Sequence, residues 1–310
     1  MIDLDIHRRI GEQEIASILI LAKTIERVDG HKALEDHTWV DLVQGGRKGI
    51  SGLIAYRRNP RAAVGYVQIS KGPESWGIEL LLHPMERNKD SQTGIALLKE
   101  ALKEIRRDGG GHVHMWIAKP SEYLEELAIQ VGFTRGRDLF QMRCSLPLDS
   151  SPPEIVGNLR TFQLGIDEDR WLEVNNKAFA WHREQGRWVR ETLLSREAEP
   201  WFDPRGFFLL EIENQLAAFV WTKVHVDEES PIGEIYVVAT NPKFKGRGLG
   251  ETMCKVGLNY LSSLGISTGM LYVDATNEPA LKVYGRLGFH VDHVDRAYTI
   301  DITPQESEED

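Results

Sequence analysis

The second half of the chain alternates strand-like and helix-like apolar patterns. The segments QLAAFVWTKVH (215–225) and IGEIYVVATNP (232–242) are dense in apolar and β-branched residues, which predicts two strands. A glycine-rich loop, KFKGRGLG (243–250), leads into ETMCKVGLNYLSSLG, whose apolar spacing predicts a helix. The strand pattern MLYVDAT (270–276), a short helical pattern and the strand-like FHVDHVDRAYTI follow. This order predicts a mixed α/β (α+β) domain.

The first half of the chain repeats this order. The segments AAVGYVQISK (62–71) and WGIELLLHP (76–84) predict two strands, and GIALLKEALKEIRRDGG predicts the helix after them. The strand pattern HVHMWIA (112–118), a short helical pattern and the strand-like FTRGRDLFQMRCSL complete the copy. The chain is therefore predicted to contain the same plan twice.

The two copies are separated by a segment rich in Pro and Ser, LPLDSSPPEIVGN (146–158), which breaks both periodicities. A duplication of only two long copies predicts tandem domains rather than a solenoid. Each domain is predicted to be a mixed twisted sheet flanked by helices. The predicted division is an N-terminal domain of residues 1–147, a linker of 148–158 and a C-terminal domain of 159–310.

Composition and charge exclude several classes of function. The 310 residues carry a formal net charge of -10, which argues against a nucleic-acid backbone as the main partner. The N-terminal segment is charged, and no stretch approaches the roughly 20 apolar residues of a membrane span. Neither cysteine, Cys144 or Cys254, lies in a motif that supplies a base. We therefore expect a cytoplasmic protein that does not act at a membrane.

The glycine-rich loop has the composition of a phosphate cradle. Glycine lets backbone N–H groups approach an anion closely, and the N-terminus of the following helix favours negative charge. The P-loop pattern fails because Gly250 is followed by Glu251, and the dinucleotide-binding pattern fails on the spacing of its glycines. The pattern that fits is a basic residue followed by G-x-G, with Lys245, Gly248 and Gly250.

That pattern resembles the pyrophosphate loop of the Gcn5-related N-acetyltransferase superfamily. The surroundings agree, because a strand expected to splay precedes the loop, and an Asn and a Tyr in YGRLGF follow it in order. The resemblance implies two tandem acetyltransferase-like domains and acetyl-CoA as acetyl donor. It implies acetyl-CoA contacts at Val238, Ala239, Thr240, Lys245, Gly246, Arg247, Gly248, Leu249, Gly250, Glu251, Asn277, Glu278, Pro279, Ala280, Leu281 and Lys282.

Two residues have the chemistry for acyl transfer to an amine, which needs a base for the ammonium and an acid for the leaving thiolate. Glu234 heads an apolar strand and is predicted by alternation to share a face with Tyr236 and Val238. Tyr284 lies in the short helix after Asn277. Their alternatives are an exposed strand-end carboxylate and a half-buried packing tyrosine. The resemblance implies Glu234 as general base and Tyr284 as general acid.

The first copy departs from the superfamily pattern at the corresponding loop, ERNKDSQTGIA (86–96). This loop keeps Gly94 but lacks G-x-G. Alignment on the Gly-Phe pairs places Ala128 where the second copy has Tyr284. We therefore expect a structural first domain that lines the substrate cleft. The alternative is a second acetyl-CoA held through a distorted loop.

Further motifs resemble the mycothiol synthase family, which acetylates the cysteinyl amine of Cys-GlcN-inositol (desacetylmycothiol) to give mycothiol and CoA. These motifs include NNKAFAWHREQGRW (175–188), VWTKVH and VDRAYTI. The resemblance covers most of the chain and is strongest over 171–300. It implies substrate contacts at Asp36, Glu184, Lys223, Glu234 and Tyr272. His182 beside Glu184 has no third metal ligand at useful spacing, so no metal is expected.

The expected partner is a small pseudodisaccharide amine. The duplication already supplies a contact between two domains, which favours a monomer. One alternative is an acetyltransferase that acts on a peptide N-terminus or an aminoglycoside. Another is a non-catalytic acyl-CoA binding module, which we would expect to have lost Glu234 or Tyr284.

Overall fold

The fold is given by a computed structural model. It describes residues 2–7, 10–30, 32–34, 42, 50–72, 75–149, 151–180, 185–226 and 230–304. The chain forms two compact units, which we call unit 1 (residues 1–138 and 294–310) and unit 2 (residues 139–293). The contiguous domains and the linker at 148–158 stay a prediction of the sequence.

Unit 1 is built on a sheet in which one parallel contact lies among antiparallel ones. Its strands, in spatial order, are β1 (Ile2–His7), β2 (Ile50–Arg58), β3 (Arg61–Lys71), β4 (Trp76–Leu82), β5 (Gly111–Ala118) and the end of β12 (His290–Ile302). Its helices are α1 (Glu12–Asp29), α2 (Thr93–Arg107) and α3 (Glu122–Val131). Only β4 and β5 run parallel among the described pairs of this unit.

The two faces of the unit 1 sheet are covered by different helices. On one face, α2 and α3 pack on β3, β4 and β5 through apolar side chains that include Leu97 and Leu127. On the other face, α1 packs through Ile18 and Leu21 against Tyr66. The buried residues of α2 recur at helical spacing, as the sequence pattern predicts.

Unit 2 has the same kind of sheet. Its strands, in spatial order, are the end of β6 (Thr134–Ser145), β11 (Thr268–Asp274), β10 (Ile232–Thr240), β9 (Gln215–His225), β8 (Phe207–Ile212) and β7 (Asn158–Thr161). Its helices are α4 (Glu168–Ala178), α5 (Arg190–Glu197), α6 (Leu249–Ser263) and α7 (Glu278–Arg286). Among the described pairs of this unit, only β10 and β11 are parallel.

The unit 2 sheet also has two distinct faces. The helix face is covered by α6 and α7. Gly257 allows α6 to approach β10 closely, since a Cβ added there would lie 2.7 Å from Ile235 Cδ1. The aromatic face carries a cluster of aromatic side chains around Trp171, a residue of α4. In this cluster, Phe207 and Trp221 stack with ring centroids 4.6 Å apart. This packing fixes β9 and β10 from both sides.

The last strand of each half pairs with a strand from the other half of the chain. Residues 295–302 of β12 pair antiparallel with β5, and residues 139–145 of β6 pair antiparallel with β11. The apolar pattern predicts that these segments are strands but does not identify their partners. The predicted mixed α/β fold class is confirmed. No helix in the described part of the chain has the length and apolar character of a membrane span.

Candidate active site

The ladder between the two parallel strands of unit 2 ends early. β10 and β11 pair only from Ile232↔Thr268 to Glu234↔Met270. Beyond that point β10 continues along β9 as far as Thr240, whereas β11 continues along β6 as far as Asp274. The inner edges of β10 and β11 therefore separate and leave a gap. Val238, Ala239 and Thr240, which the sequence predicts to contact acetyl-CoA, lie along this gap.

A β-bulge lies at the start of the gap. In the pairing with β9, Ile235 is opposite Thr222 and Val237 is opposite Trp221, so that Tyr236 is the extra residue. Tyr236 and Val237 both pack in the aromatic cluster, whereas Val238 packs toward α6. The prediction that Glu234 shares a face with Val238 is wrong, because the bulge interrupts strand alternation.

The glycine-rich loop connects β10 to α6 through a short 3-10 turn, Pro242–Phe244. Gly246 and Gly248 have φ of +85° and +75°, which side chains other than glycine rarely adopt. An added Cβ at either glycine would meet nothing within 4 Å, so backbone conformation rather than space requires glycine there. The loop side chains Lys245 and Arg247 are exposed, and the Arg247 guanidinium lies 5.0 Å from the centroid of the Phe244 ring.

The N-terminus of α6 has the features of an anion site. Gly248 is its N-cap residue, and no described side chain caps the helix. The first backbone N–H groups of a helix have no partner within it and carry the positive end of its dipole. Glu251 in the first turn would oppose an anion, but its carboxylate is 2.8 Å from Arg286 and 3.5 Å from Lys255. The hydrogen bond from Arg286 holds the pKa of Glu251 below its usual range.

The helix α7 begins at Glu278, after a short turn that follows the end of β11 at Asp274. Asn277 is its N-cap residue, and its side-chain oxygen accepts a hydrogen bond from the Ala280 N–H at 3.3 Å. Capping therefore explains an Asn at this position. Glu278 and Lys282 are exposed and lie 3.7 Å apart, whereas Leu281 packs toward the core of the helix face. Thus the two strands that border the gap each lead into a helix N-terminus.

Tyr284 lies in the core of the helix face. Its ring is 5.8 Å from that of Phe289 between centroids, and only 9% of the residue is exposed. Burial raises the pKa of Tyr284, with a further contribution from Cys254. The phenol is therefore neutral near pH 7, which is the form that can donate a proton. Tyr284 and Glu234 lie on opposite faces of the sheet and form no hydrogen bond with each other in the described structure.

The aromatic face of the sheet brings three of the predicted substrate residues together. Glu234 is 6% exposed and lies directly opposite Lys223 on β9. The Lys223 ammonium is 4.9 Å from the centroid of the Trp201 ring. Tyr272 on β11 alternates with the core residue Leu271, which places it on the same face as Glu234. This face therefore combines a carboxylate, an ammonium and a phenol.

Sequence reasoning missed three further polar residues on this face. The Nε2 atom of His225 is 2.7 Å from Oε2 of Glu234. On β6, Gln141 Nε2 donates to the Tyr272 hydroxyl at 2.8 Å, and Arg143 Nε donates to Gln141 Oε1 at 3.1 Å. Alternation along VWTKVH could have identified His225, which is two residues after Lys223. Gln141 could not have been found without knowing that β6 pairs with β11.

The described residues set limits on other chemistry. Asp36, His182 and Glu184 lie outside the part of the chain that the structure describes, so their roles stay predictions. Within the described part, no group of three potential ligands is arranged to hold a metal ion. Burial raises the pKa of both cysteine thiols, Cys144 and Cys254, to about 12. Neither thiol is therefore ionised to act as a nucleophile near neutral pH.

The corresponding loop of unit 1 is closed by its own side chains. Glu86 Oε2 accepts hydrogen bonds at 2.6 Å from both Ser91 Oγ and Thr93 Oγ1, and Thr93 is the first residue of α2. Arg87 is 2.7 Å from Asp29. Gly94 serves packing, since an added Cβ there would lie 2.7 Å from Leu127 Cδ2. A carboxylate of the chain thus lies at the start of α2, whereas no described side chain caps the backbone N–H groups at the start of α6 in unit 2.

Comparison with known proteins identifies the family. The model of the acetyltransferase (GNAT) family matches residues 175–289. A mycothiol acetyltransferase of Acidimicrobium ferrooxidans is 42% identical over 289 residues, which cover 91% of this chain and 92% of that protein. One from Thermobispora bispora is 39% identical over 291 residues, covering 92% of this chain and 95% of that protein.

Solved structures agree on the fold. A GCN5-related N-acetyltransferase from Sphaerobacter thermophilus has a TM-score of 0.75 at 20% identity, over 97% of this chain and 96% of that one. A tandem GNAT protein from the clavulanic acid biosynthesis pathway has a TM-score of 0.75 at 14% identity, over 98% of this chain and 100% of that one. The predicted tandem acetyltransferase fold is confirmed. The chain is an acyltransferase that belongs to the mycothiol acetyltransferase family, within the GNAT superfamily.

Proposed function

We propose that this chain transfers the acetyl group of acetyl-CoA to the cysteinyl amine of Cys-GlcN-inositol, giving mycothiol and CoA. The observation that carries the proposal is the gap that opens where the β10–β11 ladder ends at Glu234, beside the uncapped N-terminus of α6. The gap offers backbone donors along its length and a carboxylate at its closed end. The names of the relatives support the choice of amine.

Acetyl-CoA fits the residues around the gap. Its pyrophosphate would accept hydrogen bonds from the loop at Gly246–Gly248 and from the first turn of α6. Lys245 and Arg247 are exposed beside this turn and supply positive charge. The pantetheine amides would pair with the free edge of β10, in the way that an added strand pairs with a sheet edge. This arrangement directs the thioester toward the closed end of the gap, where Glu234 lies.

The reaction can be assigned to side chains on the two faces of the sheet. Glu234 removes a proton from the substrate ammonium, directly or through a water molecule. The amine nitrogen then forms a bond to the thioester carbon, and backbone N–H groups of β10 stabilise the oxyanion. The carbon–sulfur bond breaks, the thiolate takes the proton of the Tyr284 hydroxyl, and the acylated nitrogen loses its second proton, through solvent, to the phenolate that is left. The positions of Glu234 and Tyr284 on opposite faces suit a thioester that passes between the two strands.

The acceptor would lie on the aromatic face. Lys223 and Tyr272 can hydrogen-bond the hydroxyl groups of a pseudodisaccharide, and Gln141 holds the Tyr272 hydroxyl at 2.8 Å. Contacts of the substrate with Asp36 and Glu184, which lie outside the described residues, stay predictions of the sequence.

The test is acetylation by the purified chain of three amines offered together with acetyl-CoA and followed by mass spectrometry. The amines are Cys-GlcN-inositol, a dipeptide and an aminoglycoside. Selective acetylation of the cysteinyl amine is expected. Consumption of another amine instead would keep an acetyltransferase but overturn the acceptor. Binding of acetyl-CoA without acetylation of any amine would favour a binding module.

We further propose that each chain binds a single acetyl-CoA, in unit 2. The support is the carboxylate of Glu86, which already accepts the hydrogen bonds of Ser91 and Thr93 at the start of α2. Isothermal titration calorimetry should give a stoichiometry near one, and Gly248→Val should remove measurable binding because Gly248 has φ of +75°. Circular dichroism would confirm that this variant is folded. Saturable binding that persists in the folded variant would contradict the proposal.

A further inference from the structure

His225 is the nearest described partner of the Glu234 carboxylate. Its Nε2 atom is 2.7 Å from Glu234 Oε2, and the two side chains are 16% and 8% exposed. His225 is the last residue of β9 and lies opposite Ile232, two residues before Glu234 on β10. Because alternate residues of a strand share a face, this diagonal relationship places both side chains on the aromatic face.

Resting on the proposed function, we propose that His225 is a positioning residue for the general base Glu234. An ionised carboxylate can only accept hydrogen bonds, so the ring nitrogen that faces it must carry a hydrogen. His225 Nε2–H therefore donates to Oε2 of Glu234. This bond leaves Oε1 to accept the proton of the substrate ammonium, directly or through water.

The hydrogen bond has two effects on the base. It restricts the rotation of the Glu234 carboxyl group, so that the accepting oxygen keeps one direction. It also supplies a hydrogen-bond partner to a carboxylate that is only 8% exposed and therefore has few contacts with water.

Other charged and titratable groups face this pair from the surrounding elements. Lys223 lies opposite Glu234 on β9, Tyr236 lies on β10 and Tyr272 on β11. Burial raises the pKa of Tyr236 to about 12; Glu234 and Glu199 add to this increase, whereas Arg196 opposes it. The Lys223 ammonium lies over the Trp201 ring at 4.9 Å from its centroid. Of these side chains, His225 lies within hydrogen-bond distance of the Glu234 carboxylate, at 2.7 Å.

Two substitutions of His225 separate positioning from general structural support. His225→Gln places an amide N–H near the position of Nε2 and keeps the donor, whereas His225→Ala removes it. We expect kcat/KM for Cys-GlcN-inositol to fall about 10- to 100-fold in H225A and about threefold or less in H225Q. The loss in H225A is smaller than that expected for removal of the general base itself, because the carboxylate is still present. Acetyl-CoA affinity by calorimetry should be unchanged in both. His290→Ala, at an exposed strand end of unit 2, is the matched control.

The division of the effect between kcat and KM supplies a readout that a structural role would not reproduce. In H225A the loss should fall on kcat, with KM for Cys-GlcN-inositol near that of the wild type, because the carboxylate loses its fixed direction while the proposed acceptor contacts are kept. In H225Q both constants should stay near those of the wild type. A purely structural role would lower kcat and raise KM in both variants.

Each outcome decides between the proposals. Wild-type values of both kcat and KM in H225A would overturn the positioning role while leaving the proposed function intact. H225Q as impaired as H225A, with KM raised in each, would also overturn it. Failure of the wild-type chain to acetylate Cys-GlcN-inositol would overturn the proposed function and, with it, the role of His225 in that reaction.

Discussion

Replacement of Glu234 by Gln removes the proposed base with little change in shape. The Gln side-chain oxygen can still accept from His225 Nε2, which lies 2.7 Å from the carboxylate in the wild type. A charge-assisted hydrogen bond becomes a neutral one, so the loss of folding free energy should be about 1 kcal/mol. The variant is therefore expected to fold and to keep the gap between β10 and β11.

The effect on catalysis should be much larger than the effect on stability. A positioned general base contributes about 10²- to 10⁴-fold to the rate. We expect kcat of Glu234→Gln to fall by that factor, which corresponds to about 3–5 kcal/mol of activation free energy. The affinity for acetyl-CoA should be unchanged, because the proposed pyrophosphate contacts are made by the loop and α6.

The assay must distinguish the product CoA from a substrate that carries its own thiol. A thiol-reactive dye reports both, so the acetylated amine should be quantified by liquid chromatography and mass spectrometry. Glu154→Gln, which changes an exposed carboxylate of unit 2, is the matched control and should keep wild-type turnover. Full turnover by Glu234→Gln would refute the assignment of the base.

Two further substitutions test the surroundings of the gap. Gly257→Ala should destabilise unit 2 by about 1–3 kcal/mol in urea unfolding, since its Cβ would lie 2.7 Å from Ile235. The control Gly285→Ala, whose Cβ would have nothing within 4 Å, should be neutral or stabilising. Equal effects of the two substitutions would argue against the close packing of α6 on β10. Tyr284→Phe should lower kcat about 10- to 100-fold without changing acetyl-CoA affinity, because burial keeps the phenol neutral and able to donate its proton. An unchanged rate would leave Tyr284 a packing residue.

Much of the candidate site could be predicted because its chemistry is encoded locally. The order of strand, glycine loop and helix depends on short-range apolar periodicity, and the loop glycines depend on backbone conformation at single positions. Glu234 was identifiable as a carboxylate at the head of an apolar strand, and the structure places it where the β10–β11 ladder ends. Its catalytic role stays a proposal, as do those of the predicted acetyl-CoA contacts.

Features that depend on strand partners could not be predicted. The pairing of β6 with β11 brings Gln141 to Tyr272, although these residues are 131 positions apart in the chain. The bulge at Tyr236 moves Val238 to the opposite face from Glu234, and no local pattern marks it. The contact of Glu86 with Thr93 likewise depends on how the loop folds back on the start of α2, which the local sequence pattern does not specify.

The sequence by itself therefore determined the elements, the glycine positions that need a positive φ, and the carboxylate at the strand head. The tertiary structure decided which strands exchange, where β10 and β11 separate, and that His225 Nε2 lies 2.7 Å from the Glu234 carboxylate. The physical reason is the range of the interactions. Helix periodicity and glycine conformation act over a few residues, whereas strand register is set by hydrogen bonds and side-chain packing between segments that are distant in the chain.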